Sequence, residues 1–221
     1  EHTHSEMFYR RQLSCYNFGI CVCDTMQSYM CMWDESIASR GANEIASRLL
    51  KVINIGITNK KNLTIWSDNC SAQNKNRVMV FLCLFLVAIG LFDHIEQRFF
   101  LSGHSFLQCD SDFALIEKRK RVTKAFIPSD LFKIVHESKV VKPFQVVPML
   151  ESDFLDIQQA ADQLISTKNL NISKTCSIEY EAGKAGSVSV KQSHDVGEVR
   201  TIKVLKRGEK HERRAVSIVS G

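Results

Sequence analysis

Along this chain the spacing of apolar and polar residues changes period several times, and each change marks a predicted element. Residues 12–23 are rich in aromatic and β-branched side chains, and Asp24-Thr25 followed by residues 27–33 predicts a turn and a second strand, hence an antiparallel hairpin. After the polar stretch 34–36, Ile45, Leu49, Leu50, Val52 and Ile53 recur at helical spacing behind Arg40-Gly41-Ala42-Asn43-Glu44. Residues 63–67 predict a strand that ends on Asp68, and residues 69–77 a polar turn. Residues 78–90 are apolar on every side and predict a buried helix, because a bilayer span needs roughly 20 such residues.

Further on, residues 94–101 alternate as a strand, and residues 102–112 predict a loop carrying His104, Asp110 and Asp112. A helix is expected over 113–121, with Asp110 or Ser111 as its cap. Pro128 opens another short helix, and residues 144–147 are extended between Pro143 and Pro148. Residues 152–169 predict a helix with Phe154, Ile157, Ala161 and Leu164 on its apolar side. Residues 176–180, 188–190 and 199–205 predict short strands, with Gly183, Gly186 and Gly197 in the turns between them.

With 221 residues, 44% of them hydrophobic, the chain can bury one sizeable core, which excludes disorder of the whole. The pattern divides it into a domain over residues 1–150 and an appendage over 151–221, made of a helix, a β-hairpin and a basic tail. The net charge of +5 is concentrated in Lys118-Arg119-Lys120-Arg121 and in residues 203–214. Clusters of this kind attract phosphate backbones without reading sequence.

Of the eight cysteines, Cys15 and Cys83 lie inside apolar runs, and no secretion-signal pattern opens the chain, so a reducing compartment, nucleus or cytoplasm, is expected. Cys21 and Cys23 have one residue between them and no second pair follows at zinc-ligand spacing, which favours strand-facing or buried thiols. No phosphate-binding glycine loop, nucleophile elbow or dinucleotide fingerprint occurs.

The candidate chemistry therefore rests on acids. In an open α/β sheet, ligands collect beyond the carboxyl ends of the strands, where Asp68 is expected. Adjacent parallel strands would bring the Asp68 tip towards Asp110. Hard-oxygen ligands so placed suit magnesium or manganese, and a pair of such ions can orient a water and stabilise a leaving oxygen in phosphodiester cleavage. His104 is a candidate ligand, general base or loop residue, and Gln73, Asn74, Lys75 and Asn76 could contact phosphates or bases beyond Asp68, or serve only to cap the helix that follows.

The phrases Tyr9-Arg10-Arg11-Gln12-Leu13, Trp33-Asp34-Glu35, Arg40-Gly41-Ala42-Asn43-Glu44-Ile45, Ser67-Asp68-Asn69-Cys70-Ser71-Ala72-Gln73-Asn74-Lys75-Asn76 and Gly103-His104-Ser105, with Asp110, Asp112, Phe113, Ile116 and Glu117, resemble transposon-related animal proteins. That match covers residues 8–147, and the order of elements is similar to the ribonuclease H-like fold of DDE/D transposases and integrases. That resemblance implies an α/β class with one mixed β-sheet flanked by helices, followed by the small C-terminal β-rich appendage. It implies magnesium- or manganese-dependent cleavage or transfer of DNA strands, with Asp68 and Asp110 as metal ligands and Glu44, Asp112 and Glu117 as further acids. It also implies nucleic-acid contacts, to DNA or RNA, from Gln73, Lys75, Arg77, His104, Lys118, Arg119, Lys120 and Arg121. The strand that carries the first Asp of the family would precede Phe8, so a truncated copy with impaired hydrolysis, and an exposed sheet edge that lowers solubility, are expected. The alternative is a non-catalytic nucleic-acid-binding or protein-interaction module.

Overall fold

The computed structural model describes residues 14–100, 107–125, 127–184, 186–193 and 198–206. In chain order the elements are β1 (Cys15–Val22), β2 (Gln27–Asp34), α1 (Ala42–Asn54), β3 (Asn62–Ser67), α2 (Arg77–Ala88), β4 (His94–Phe99), α3 (Gln108–Val122), α4 (Pro128–Glu137), β5 (Gln145–Pro148), α5 (Ile157–Leu164), β6 (Ser177–Glu181), β7 (Ser187–Lys191) and β8 (Arg200–Lys203). They fall into two compact units, residues 1–39 with 108–154, and residues 40–107 with 155–221.

The first unit is built on the predicted hairpin. β1 and β2 pair antiparallel from Cys15 opposite Asp34 to Val22 opposite Gln27, and β5 adds to β2 in parallel. β2 is covered on both faces, since Met30, Cys31, Met32 and Trp33 are all buried. Met30 and Met32 meet Ile116 of α3, Val135 of α4 and Phe144 in the core. On the other face the Trp33 indole nitrogen donates to the Ala38 carbonyl at 3.1 Å, and the ring packs 5.2 Å from Tyr16 and 5.8 Å from Phe154. Gly19 lets α3 close on β1: a Cβ there would stand 3.3 Å from the tip of Phe113 and 3.4 Å from the Cys109 sulfur.

The second unit holds a five-stranded sheet in the order β3-β4-β6-β7-β8. β3 and β4 are parallel, as the expected Asp68 strand and its neighbour should be, and the remaining pairs are antiparallel. Parallel neighbours need a crossover, which α2 supplies. Nine of its residues, Val78 through Cys83 and Phe85 through Val87, are buried, so the run that is apolar on every side is indeed an interior helix. One side of α2 meets β4 and β6, and others meet α1 and α5. Gly90, at φ 74°, stops it in the left-handed conformation that glycine adopts without steric cost.

The architecture is α/β, with two mixed sheets flanked by helices. Three expectations change. The strands form two sheets instead of one, because β2 takes β5 as its second neighbour. The strands of the expected appendage are continuous with the β3–β4 sheet, because β6 pairs with β4 from His94 opposite Glu181 to Arg98 opposite Ser177. The helix expected over 152–169 is a single 3-10 turn, Glu151–Asp153, followed by α5. The break comes from two acids that each bond backbone: Asp153 accepts from Leu150 N at 2.9 Å, and Asp156 caps α5 by accepting from Gln159 N at 3.1 Å.

Candidate functional site

The tip of β3 is positioned by both neighbours. Ser67 sits opposite Phe99 in the register, and Phe100 N donates to the Ser67 carbonyl at 3.0 Å. Asp68 follows, half-buried, and its Oδ1 accepts from Cys70 N and from the Asn74 side-chain amide, each at 2.9 Å. Its Oδ2 accepts no hydrogen bond among the described residues. The loop closes on the Cys70 carbonyl, which accepts from the backbone N of Gln73, Asn74 and Lys75 at 3.2, 2.8 and 3.0 Å. Asn76 then caps α2, accepting from Met79 N at 3.1 Å. The aspartate thus holds a turn with one oxygen and presents the other.

Both cations of the loop are engaged. Lys75 is buried; its Nζ donates to Asn69 Oδ1 at 2.9 Å and to the Ser173 carbonyl at 3.1 Å, and lies 4.8 Å from the Phe99 ring centroid. Burial holds its ammonium below the usual lysine range. Arg77 pairs with Asp162, which also accepts from Gln158. Gln73 is half-buried and is the loop residue of the three whose side chain is not engaged in a hydrogen bond among the described residues.

Glu44 lies in the first turn of α1, as its spacing predicts, and its carboxylate folds back so that a Cβ on Gly41 would stand 3.0 Å from Oε2. Asp110, Asp112 and Glu117 belong to the first unit. α3 begins at Gln108, five residues before the expected start, so Asp110 and Asp112 are helical instead of loop residues, and neither Asp110 nor Ser111 is the cap. Asp110 is exposed in the first turn. Asp112 is fully buried; its carboxylate accepts from Ser28 Oγ at 2.5 Å, from Gln108 Nε2 at 3.4 Å and from Lys139 Nζ at 3.3 Å. Glu117 is exposed and pairs with Lys120 at 2.9 Å. His104 lies outside the described residues.

A magnesium site needs several oxygen ligands at once. In the second unit Asp68 contributes one open oxygen while Glu44 folds onto its own helix. Among the described residues no three His, Cys, Asp or Glu side chains come together to hold a metal ion. Among the described residues, the donor set within either unit does not by itself fit such an ion. None of the eight cysteines is disulfide-bonded, and burial pushes the Cys109 thiol up to about 12.

The basic run of α3 is exposed from Lys118 to Arg121. Arg119 pairs with Glu137 at 3.2 Å and Lys120 with Glu117, whereas Lys118, Arg121 and the neighbouring Lys124 make no ion pair among the described residues. Two features escape a reading of the sequence alone. One is Lys139, whose only signal is that its partner Asp112 lies one helical turn from the buried Ile116. The other is the pairing of Trp66 with Arg98, which depends on a strand register that no local pattern reveals.

A family model described as a domain of unknown function (DUF7869) matches residues 6–195. No curated protein and no solved structure matches the chain.

Proposed function

Since this chain belongs to the DUF7869 family, we propose that the domain it carries is a nucleic-acid-binding domain of transposase or integrase descent, with a ribonuclease H-like ancestry for the β3–α2–β4 unit. The observation that carries the reading is the row Lys118, Arg121 and Lys124, at steps of three along the end of α3 and just past it, exposed and with no carboxylate partner among the described residues. Positions three apart on a helix rise by about 4.5 Å, so Lys118 and Arg121 line one side, Lys124 follows them, and the three can meet successive phosphates. Lysine and arginine in a last turn are also favoured by the helix dipole, but that requires neither three cations nor their exposure. The test is duplex DNA binding measured against salt. Binding that weakens steeply as salt rises supports the reading, and affinity indifferent to salt removes it.

A second reading, a metal-dependent nuclease, is favoured by one observation: Asp68 stands at the carboxyl end of a strand beside a parallel neighbour with one oxygen open. Among the described residues the acids within a unit do not complete an ion site. Manganese-dependent plasmid nicking that disappears in Asp68→Asn would establish this reading, and nicking that survives the substitution would remove Asp68 from it.

A further inference from the structure

The chain has two tryptophans with opposite environments: Trp33 is 1% exposed, and Trp66, on β3, is 42% exposed. Strand residues alternate between faces. Ile95, Gln97, Phe99, Ile178 and Tyr180 are buried on the side that α2 covers, so Trp66, Arg98, Ser177 and Lys191 share the opposite side, where Ser177 is buried and the other three reach the surface. The register sets these four in one row across β3, β4, β6 and β7, spanning about 14 Å at the usual spacing between strands. The indole is held: the Phe100 ring centroid is 4.9 Å away, and the Arg98 guanidinium lies over its ring, 5.2 Å from the centroid.

We propose that this row binds single-stranded nucleic acid, with an unstacked base on Trp66 and the backbone running over Arg98 towards Lys191. The proposal rests on the nucleic-acid-binding reading above and adds a second site of different chemistry. Every base has a π face, so an exposed indole, immobilised with an arginine over one side of its ring, accepts bases on the other side without regard to sequence. Duplex bases are already stacked on one another and cannot reach it. A protein partner fits less well, since two aromatic rings bordered by charge make a patch far smaller than the apolar patches that proteins dock on. The row's cations are already matched, Arg98 with Glu96 at 2.7 Å and Lys191 with Glu179 at 2.8 Å. Stacking must therefore supply most of the affinity, and binding here depends on salt less than binding to α3 does.

Intrinsic fluorescence tests this directly, because Trp33 is shielded and any quenching reports Trp66. The full chain is titrated with an oligothymidylate, an oligouridylate of equal length and a duplex, each at low and at high salt. Quenching by the single strands and not by the duplex is expected, and the two single-strand arms tell DNA from RNA. Trp66→Ala should weaken single-strand binding on the order of 5- to 150-fold, Trp66→Phe should recover most of the loss, and duplex affinity should stay as it was. Single-strand affinity unchanged in Trp66→Ala, or equal quenching by the duplex, overturns the site alone. Failure of every nucleic acid to bind overturns this site and the α3 reading together.

Discussion

The carboxylate of Asp112 is fully buried, whereas the side chain of Lys139, whose ammonium lies 3.3 Å from it, is 24% exposed. The two partners of this ion pair therefore stand in different solvents. Removing the lysine leaves a carboxylate that cannot reach water, with only Ser28 and Gln108 to bond it. Removing the charge of the acid leaves a lysine that can swing outward. Lys139→Met should cost about 3 kcal/mol of stability, and Asp112→Asn only about 1 kcal/mol. Urea denaturation of the two variants checks the order; equal costs would show that the pair is not desolvated in the way its geometry implies.

The Asn76 side chain caps α2, and α2 is the buried centre of its unit. Asn76→Ala should lower stability by about 1 kcal/mol, whereas Asn76→Ser or Asn76→Asp should keep most of it, since each retains an oxygen for Met79 N. Thermal melts of the three variants measure this. An alanine variant as stable as the wild type would mean that the helix is fixed by packing alone.

Elements set by local pattern were legible in the sequence, and pairings between distant strands were not. The apolar run 78–90 could only be an interior helix, and the Asp68 strand could be read from Leu63 and Ile65, which recur every second residue up to the acid. Nothing local says that β6, about 80 residues after β4, lies beside it, or that β5 joins β2, because those choices are made by which apolar faces remain to be covered. At the site, Asp68 was legible as a strand-end acid because its place depends on its own strand. Asp112 looked like a loop acid because the first turn of α3 has few apolar residues to mark it. Its burial depends on Ser28 and Lys139, 84 and 27 residues away.

The Cys83 thiol, fully buried in α2, is pushed up to about 12 by burial from an ordinary value of 9.0. Between those values the folded chain keeps a proton that the unfolded chain releases. Stability is therefore intact below the ordinary value and falls as pH rises above it, by up to about 1.4 kcal/mol per pH unit from this group. Cys83→Ala should be less stable than the wild type at neutral pH, from the small cavity, yet lose less stability between about pH 9 and 11. Parallel slopes for the two proteins in that window would rule out the buried thiol as a source of alkaline sensitivity.

Asp68→Asn and Asp68→Ala should part company. The asparagine variant keeps an oxygen for Cys70 N and Asn74, so the turn survives and stability changes little, while the open oxygen is replaced by an amide that no longer attracts a cation. The alanine variant frees both donors and should cost about 1–2 kcal/mol. Hydrogen exchange at Cys70 N reads the difference: protection equal to the wild type in Asp68→Asn and absent in Asp68→Ala is expected. Protection absent from both would mean that the negative charge, and not the hydrogen bonds, holds the loop.

The exposed cations of α3 allow a quantitative forecast. Removing one cation that neutralises a phosphate reduces the dependence of log affinity on log salt by about 0.9 for duplex DNA. If Lys118, Arg121 and Lys124 each meet one phosphate, replacing all three with alanine should reduce the slope by about 2.7, evenly across unrelated duplex sequences, because backbone recognition carries no sequence information. Arg119 and Lys120 are held by Glu137 and Glu117, so Arg119→Ala with Lys120→Ala should reduce the slope by less than two phosphates' worth. These side chains are at the surface, where such exchanges usually change stability by no more than about 0.5 kcal/mol, so a reduced slope reports binding and not unfolding. A slope that stays at its wild-type value in the triple variant would place the DNA-binding surface elsewhere on the chain.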